Sequence, residues 1–351
     1  MKWCNEKTKM LSILIPTYNH NTTNLVSQMH AQSSACKIEF EILVFDDASS
    51  DLEVRKNNSS INALKNTSYT IMESNIGRSA IRNKLAKTAQ YEWLLFLDAD
   101  VLPKSERFIR NYLDAIDSNS KVIVGGLDYV NEEPESDNYL RWKYGRKRET
   151  KSKKKRQLNP YITLLGCNFF IQKKIFKTIQ FNTSIPKKAN EDTLFSYDLM
   201  TNNVEITHIE NPVFHDISES NSEFLKKSLD YAASSIGFVQ KNLMSEDYMK
   251  ISRLYFKLKR LKIDYLFAVN YKIFGKFLNQ CLQSKKPSLL IFDLYKISYI
   301  CSRTSTSAER SAVASHETCT RPSTQVVWMV PVRLPHLILV CSLIGLLTGS
   351  T

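Results

Sequence analysis

The chain has 351 residues, 43% of them apolar, and a formal charge of +13 at neutral pH. That length accommodates one large domain or two smaller ones, and the apolar share is ordinary for a soluble globular protein. The seven cysteines are spread singly with no CxxC pair, which argues against a disulfide framework or a cysteine-based zinc site. The strong positive balance points to anionic partners: nucleotides, lipid-linked phosphates, an acidic membrane surface or nucleic acid. The first residues, Met1 to Lys7, lack the apolar core of a signal peptide, so a reducing cytosol is the expected compartment.

Met10 to Pro16 reads as a first buried strand, followed by the loop Thr17-Tyr18-Asn19-His20-Asn21 and a helix over 22–33. Glu39 to Phe45 is a second strand that ends in Asp46-Asp47-Ala48-Ser49-Ser50-Asp51. A short third strand spans 69–72. Gly77 to Ala89 has helical spacing, with Ile81, Leu85 and Ala89 on one face. Trp93 to Leu97 is a fourth strand, followed directly by Asp98-Ala99-Asp100. Pro103 is expected to open a helix, because proline suits a first helical turn. Lys121 to Val124 is a fifth strand, stopped by Gly125-Gly126. Strands alternating with helices predict a mostly parallel central sheet covered on both faces. Ligands of such sheets bind beyond the carboxyl ends of the strands. Thr17, Asp46-Asp47, Asn75 and the Asp98/Asp100 pair all fall there.

The Asp-x-Asp pair is the most informative of these. Two carboxylates at the tip of a buried strand serve no packing purpose, and ionised carboxylates are costly to bury unless paired or bound to a metal. Such a pair can place oxygen ligands on a hard divalent cation that in turn holds a diphosphate. A solvated loop is the plainer alternative.

Residues 141–156 carry ten Lys or Arg against one Glu. A like-charge block of this kind reads either as a mobile solvated loop, or as a lid over an anionic substrate or a patch on acidic lipid. It lacks the interleaved aromatics of a nucleic-acid stacking platform, so no nucleic-acid partner is expected. Residues 161–172 read as strand or loop around Gly166-Cys167-Asn168. Glu191-Asp192 opens a helix running to Met200, and 204–208 is a short strand. From 222 to 300 the pattern is helical, apolar and basic. Lys and aromatics interleave there (Tyr255, Phe256, Lys257, Lys259, Arg260, Tyr265, Phe267), a composition that suits either a solvated helical cap or attachment to an acidic membrane. The expected division is 1–221, 222–300 and an atypical, poorly ordered tail over 301–351. In that tail Lys and Asn vanish, and Val326 to Leu347 is apolar but broken by Pro331, Arg333, Pro335 and His336.

Taken together, Ser12-Ile13-Leu14-Ile15-Pro16-Thr17-Tyr18-Asn19, Val44-Phe45-Asp46-Asp47-Ala48-Ser49-Ser50-Asp51, Asn75-Ile76-Gly77-Arg78-Ser79-Ala80-Ile81-Arg82-Asn83 and Asp98-Ala99-Asp100 resemble family 2 glycosyltransferases, over about residues 10–220. The resemblance implies the GT-A nucleotide-diphospho-sugar transferase fold, inverting chemistry and Mg²⁺ or Mn²⁺ as cofactor. It implies that Thr17 and Asp47 line the base pocket of a nucleotide sugar, a uridine one by expectation, with Arg82 near the nucleotide. Asp98 would contact the ribose or the metal and its water, Asp100 the metal, and His215 would complete the metal shell. Glu191-Asp192 matches the family's Glu-Asp motif, with Asp192 as base and Glu191 positioning the acceptor. Each of these side chains also has an ordinary reading: a turn carboxylate for Asp47, a surface ion pair for Arg82, helix N-terminal acids for Glu191-Asp192, a structural His215. Cys167 reads as a buried small residue rather than a nucleophile.

The Gln-x-x-Arg-Trp motif and the transmembrane helices of processive synthases are absent from the sequence, so one sugar per encounter is expected. The acceptor would be a glycan or a lipid-linked glycan, reached in the cytosol and on the inner face of the cell membrane. Two rivals are a nucleotidyltransferase and a non-catalytic binder of anionic polymers. The first is disfavoured because no glycine-rich loop follows the first strand. The second predicts no convergence of Asp98, Asp100 and Asp192.

Overall fold

The computed structural model describes residues 10–134, 136–187 and 190–314, in two compact units. The first unit comprises residues up to 133 together with 142–218; the second comprises 134–141 and the chain from 219 onward.

The first unit begins with β1 (Met10–Thr17), α1 (Thr23–Ala35), β2 (Glu39–Asp46), α2 (Leu52–Ser59), β3 (Thr67–Ile71), α3 (Arg78–Thr88) and β4 (Trp93–Leu97). It continues with β5 (Val101–Pro103), α4 (Phe108–Asp114), β6 (Val122–Val124) and β7 (Leu127–Asp128). After α5 (Tyr139–Tyr144), in which the chain crosses between units, come α6 (Lys153–Gln157), β8 (Asn168–Gln172), α7 (Lys173–Thr178), α8 (Glu191–Thr201), β9 (Ile206–His208) and β10 (Val213–His215).

The main sheet has the order β3-β2-β1-β4-β8-β6-β9. Its first four strands are parallel, β8 runs antiparallel to both neighbours, and β6 and β9 are parallel. The architecture is the mixed α/β, largely parallel arrangement that the alternating pattern predicts. Side chains alternate across β1 and β4: Leu11, Ile13, Ile15, Trp93, Leu95 and Leu97 face one buried cluster, while Leu14, Leu94 and Phe96 face another. Both faces are therefore covered, which is why these strands read as continuous apolar runs.

A second, three-stranded sheet, β5-β10-β7, corrects one expectation. Pro103 does not open a helix; it ends β5, and α4 starts only at Phe108. Proline lacks a donor, but β5 is an edge strand, where a missing donor is tolerated. β5 pairs antiparallel with β10, His215 opposite Val101.

The basic run also departs from the mobile-loop reading. It is helical through the end of α5, a π-turn at Gly145–Glu149 and α6. Its last member, Arg156, is 3% exposed. The guanidinium donates to the carbonyls of Lys151, Val124, Gly125 and Ile209, and to His208 Nδ1. Because arginine only donates, Nδ1 accepts, and Nε2 carries the hydrogen given to Pro160 O. Burial pushes the His208 pKa down to about 4, so the ring is neutral and compatible with its cationic neighbour.

The second unit holds α9 (Asn221–Gln240), α10 (Lys250–Arg260), α11 (Asp264–Leu282) and α12 (Leu289–Ala314). α9 starts at a capping box between Ser220 and Glu223. Tyr255 and Phe267, two aromatics of the interleaved Lys-aromatic pattern, are in the core of this unit, at 1% and 2% exposure. Helical periodicity accounts for this: both lie on the faces of α10 and α11 turned toward Leu258, Ala268 and Ile297. α12 runs past the boundary expected at 300, since no Pro or Gly interrupts 301–314. The remainder of the expected tail, including 326–347, lies outside the described residues. Among the described residues no helix is long and apolar enough to cross a membrane.

Candidate active site

The ends of β1 and β2 are joined where Asp47 N–H donates to Thr17 O at 2.9 Å. Thr17 is 3% exposed and its hydroxyl donates to His20 O. The two oxygens of the buried Asp47 carboxylate accept from Ile76 N–H (2.6 Å) and Gly77 N–H (2.9 Å). Asp47 thus fixes the turn that opens α3. An ionised carboxylate has about four acceptor sites, so both oxygens keep room for a further donor. Gly77 has φ +89°, and a Cβ there would stand 2.8 Å from Lys187 Cγ, so only glycine fits. The neighbouring Asp46 is wholly buried and structural, accepting from Ser49 N–H and from the Tyr69 hydroxyl.

One turn into α3, Arg82 is buried between two carboxylates. It donates through Nη1 to Glu191 Oε1 at 2.8 Å and through Nη2 to Asp98 Oδ1 at 2.6 Å. The guanidinium lies over the Phe181 ring, 5.2 Å from its centre. Burial opposes its charge, but Asp98 and Glu191 together outweigh that and hold its pKa above the ordinary arginine value. The same contest decides Asp98. Desolvation pushes its carboxyl up, and Arg82 more than reverses the shift, leaving it ionised below the usual carboxylate range. The surface-pair reading of Arg82 is therefore excluded by its burial.

Asp192 lies next to Glu191 at the start of α8 and, among the described residues, has no ion pair of its own. Burial and the adjacent Glu191 charge raise its pKa to about 6, against a partial counter-pull from Arg82. Its Oδ1 accepts from Thr193 N–H at 2.9 Å. Gly166 is packed against it: a Cβ there would come within 3.2 Å of Asp192 Cβ. Cys167 is 6% exposed. Burial first, then the charges of Asp98, Asp100, Glu149 and Asp192, push its thiol well above the ordinary value. That is no nucleophile. The charges of Asp98, Asp100, Glu149 and Asp192 thus all lie within electrostatic reach of one buried residue.

Asp100 is joined to this group from the other side. The β5–β10 pairing brings His215 Nε2 to 3.5 Å from Asp100 Oδ2, and Asp216 N–H donates to Asp100 O. His215 Nδ1 contacts the Asp216 carbonyl, which only accepts, so Nδ1 carries a hydrogen. Nε2 then faces the carboxylate. A lone pair facing a carboxylate is repulsive unless a cation or a proton lies between them. This donor set, one imidazole oriented by a carbonyl and one carboxylate, fits a small divalent ion that takes its remaining ligands from phosphate and water. Among the described residues no group of three or more His, Cys, Asp or Glu could hold a metal unaided. The Tyr129 ring stacks on His215, with 5.8 Å between centres, and its hydroxyl donates to Glu149.

Sequence reasoning gave no individual role to Arg156 and Glu149 within the basic run, or to Asn168 within Gly166-Cys167-Asn168. Asn168 accepts from the Tyr112 hydroxyl and donates to Gly126 O and Asn211 O, tying β8 to the Gly125-Gly126 turn. Only the Gly-Gly pair signalled it in sequence, as a point where backbones approach closely: a Cβ on Gly125 would fall 2.3 Å from Asn211 O.

Residues 12–180 match the profile of glycosyl transferase family 2. A Haemophilus influenzae protein described as an uncharacterized glycosyltransferase is 34% identical over 95 residues; the match covers 26% of this chain and 29% of that relative, so the chain spans under a third of it. Among solved structures, S. aureus TarS 1-349 in complex with UDP-GlcNAc matches at 20% identity and TM-score 0.47, over 86% of this chain and 92% of that one. The mannosyltransferase PcManGT from Pyrobaculum calidifontis, in complex with GDP-Man and Mn2+, matches at 10% identity and TM-score 0.50, over 96% and 79%, a likeness of fold.

Proposed function

The chain belongs, through residues 12–180, to glycosyl transferase family 2, and from that premise we propose an inverting, metal-dependent transferase. It moves a sugar from a nucleotide-diphosphate donor, a UDP-sugar in this reading, to a hydroxyl of a glycan or lipid-linked glycan. The observation that carries the proposal is the buried Arg82 fork, which holds Glu191 and Asp98 and so sets Asp192, at the start of α8, beside an ionised carboxylate.

Two carboxylates of like chemistry have been pushed apart. Asp98 is held ionised, while Asp192 is poised near neutrality, where a general base is most effective. Asp192 takes the proton of the acceptor hydroxyl as that oxygen attacks the anomeric carbon from the face opposite the diphosphate. Glu191, fixed by Arg82, orients the acceptor. Thr17 and Asp47 line the base pocket, with Arg82 and Asp98 toward the ribose and diphosphate. Asp100 and His215 would hold Mg²⁺ or Mn²⁺, with Asp98 reaching it directly or through water, and the bound ion would supply Lewis-acid neutralisation of the leaving diphosphate. The acceptor is reached from the cytosol at a membrane surface, with the protein attached peripherally.

The test is a screen of UDP- and GDP-sugars for nucleoside-diphosphate release with Mn²⁺, Mg²⁺ or a chelator. Release from one donor class that stops with chelator and with Asp192→Asn is the expected result. Nucleotide-sugar turnover absent under every condition removes the proposal.

A further inference from the structure

α11 carries apolar side chains on two opposite faces, and one of these faces has no cover among the described residues. Leu266, Val269, Ile273 and Phe277 recur at spacings of three and four and are 45%, 46%, 53% and 55% exposed. Tyr265, 57% exposed, extends the stripe. The opposite face (Phe267, Ala268, Leu278, Leu282) is buried. The exposed arc is therefore not a frayed core face. It is a second apolar surface on a helix that has already satisfied its packing, and contiguous exposed apolar surface of this kind marks an interaction site.

The charges around it select the partner. Lys272 and Lys276 project from the same exposed arc, Lys262 precedes the helix, and Lys285 and Lys286 follow it. The one acid of α11, Asp264, lies off this arc by helical phase. Pairing two copies of this face would set lysines against lysines. An anionic lipid surface instead accepts the apolar row into the acyl boundary while the lysine stems snorkel to the headgroups.

We propose that the 265–277 face of α11 is a docking surface for an anionic phospholipid membrane, with Val269 and Ile273 at its centre. This deepens the peripheral attachment given above and rests on that reading for its biological sense. Its test is independent of catalysis.

The full chain is sedimented with vesicles of phosphatidylcholine alone and of phosphatidylcholine mixed equally with phosphatidylglycerol. Binding to the mixed vesicles alone, reversed by high salt, is expected. The double variant Val269→Glu/Ile273→Glu should bind about tenfold more weakly or worse. Both side chains are exposed, so an unchanged circular dichroism spectrum is expected with it. Three results overturn the proposal: no binding to mixed vesicles, binding unaltered in the double variant, or a dimer in analytical ultracentrifugation that Ile273→Glu dissolves. Nucleoside-diphosphate release is measured in lipid-free buffer. Its failure would strike the sugar-transfer reading and leave vesicle binding standing.

Discussion

Arg82 and Glu191, 109 positions apart in the chain, meet at 2.8 Å with both side chains only 6% exposed. This contact ties the first turns of α3 to the start of α8 and so fixes Asp192 relative to Asp98. Removing one partner of a buried pair leaves the other charged and dry. Arg82→Ala is therefore expected to cost about 3–5 kcal/mol in chemical denaturation. Arg82→Lys keeps the charge but cannot fork to both carboxylates, and should cost about 2 kcal/mol. Full stability in Arg82→Ala would show that the two acids are solvated or protonated.

Asp192 sets a pH prediction. A base must be ionised, so kcat/KM should fall on the acid side of about 6, by about tenfold per pH unit. Glu191 raises that pKa, so Glu191→Gln should move the acid limb to lower pH. The stability consequence has a definite sign. The folded pKa exceeds the ordinary 3.8, so this group favours the folded state fully below that value and loses its contribution as pH rises through about 6. Asp192→Asn should then melt higher than the parent at pH 8 and match it near pH 4, while turnover is lost. Equal melting at both pH values would remove the raised pKa.

Asp100 and His215 are expected to act as one unit toward a divalent ion. In calorimetric titration with Mn²⁺ and a nucleoside diphosphate, Asp100→Asn and His215→Ala should each weaken binding about 10- to 100-fold. The double variant should be little worse than either single one, because the first loss already breaks the pair. Binding without Mn²⁺ should be the same in all three. Additive losses would place the two residues on separate functions.

Much of this site was legible because strand ends announce themselves. β1, β2 and β4 are buried, mostly apolar strands that stop at Thr17, Asp46-Asp47 and Asp98, and a parallel sheet brings such stops to one edge. Less was legible where a short element or a long-range contact decided the geometry. β5 is three residues ending in proline, too brief to show a period, yet it alone brings His215 to Asp100. The amides held by Asp47 lie at 76–77, and nothing local to Asp47 names them. α11 has apolar side chains on both its packed and its exposed face, so apolar spacing alone could not tell one from the other.

The basic run shows the same limit in reverse, since composition cannot separate its two buried cations, Arg141 and Arg156, from the more exposed ones. Arg156 alone among 153–156 is buried, and its guanidinium donates to the carbonyls of Lys151, Val124, Gly125 and Ile209, of which Val124 O and Gly125 O also accept from Ile209 N–H and Asn211 N–H. Burial pulls its pKa down, and Glu210, the nearest acid at 3.8 Å, is mostly solvated. The arginine is thus held by carbonyl dipoles rather than by an ion pair. Arg156→Met should remove one donor from each of those carbonyls and from His208 Nδ1 and cost about 3 kcal/mol, a fall of about 6–12 °C in melting temperature for a unit of this size. Lys154→Ala and Lys155→Ala remove the same charge from exposed positions and should change the melting temperature by about 1 °C or less. If all three variants melted alike, the run would be a solvated charge block after all, and α6 would owe its place to something other than Arg156.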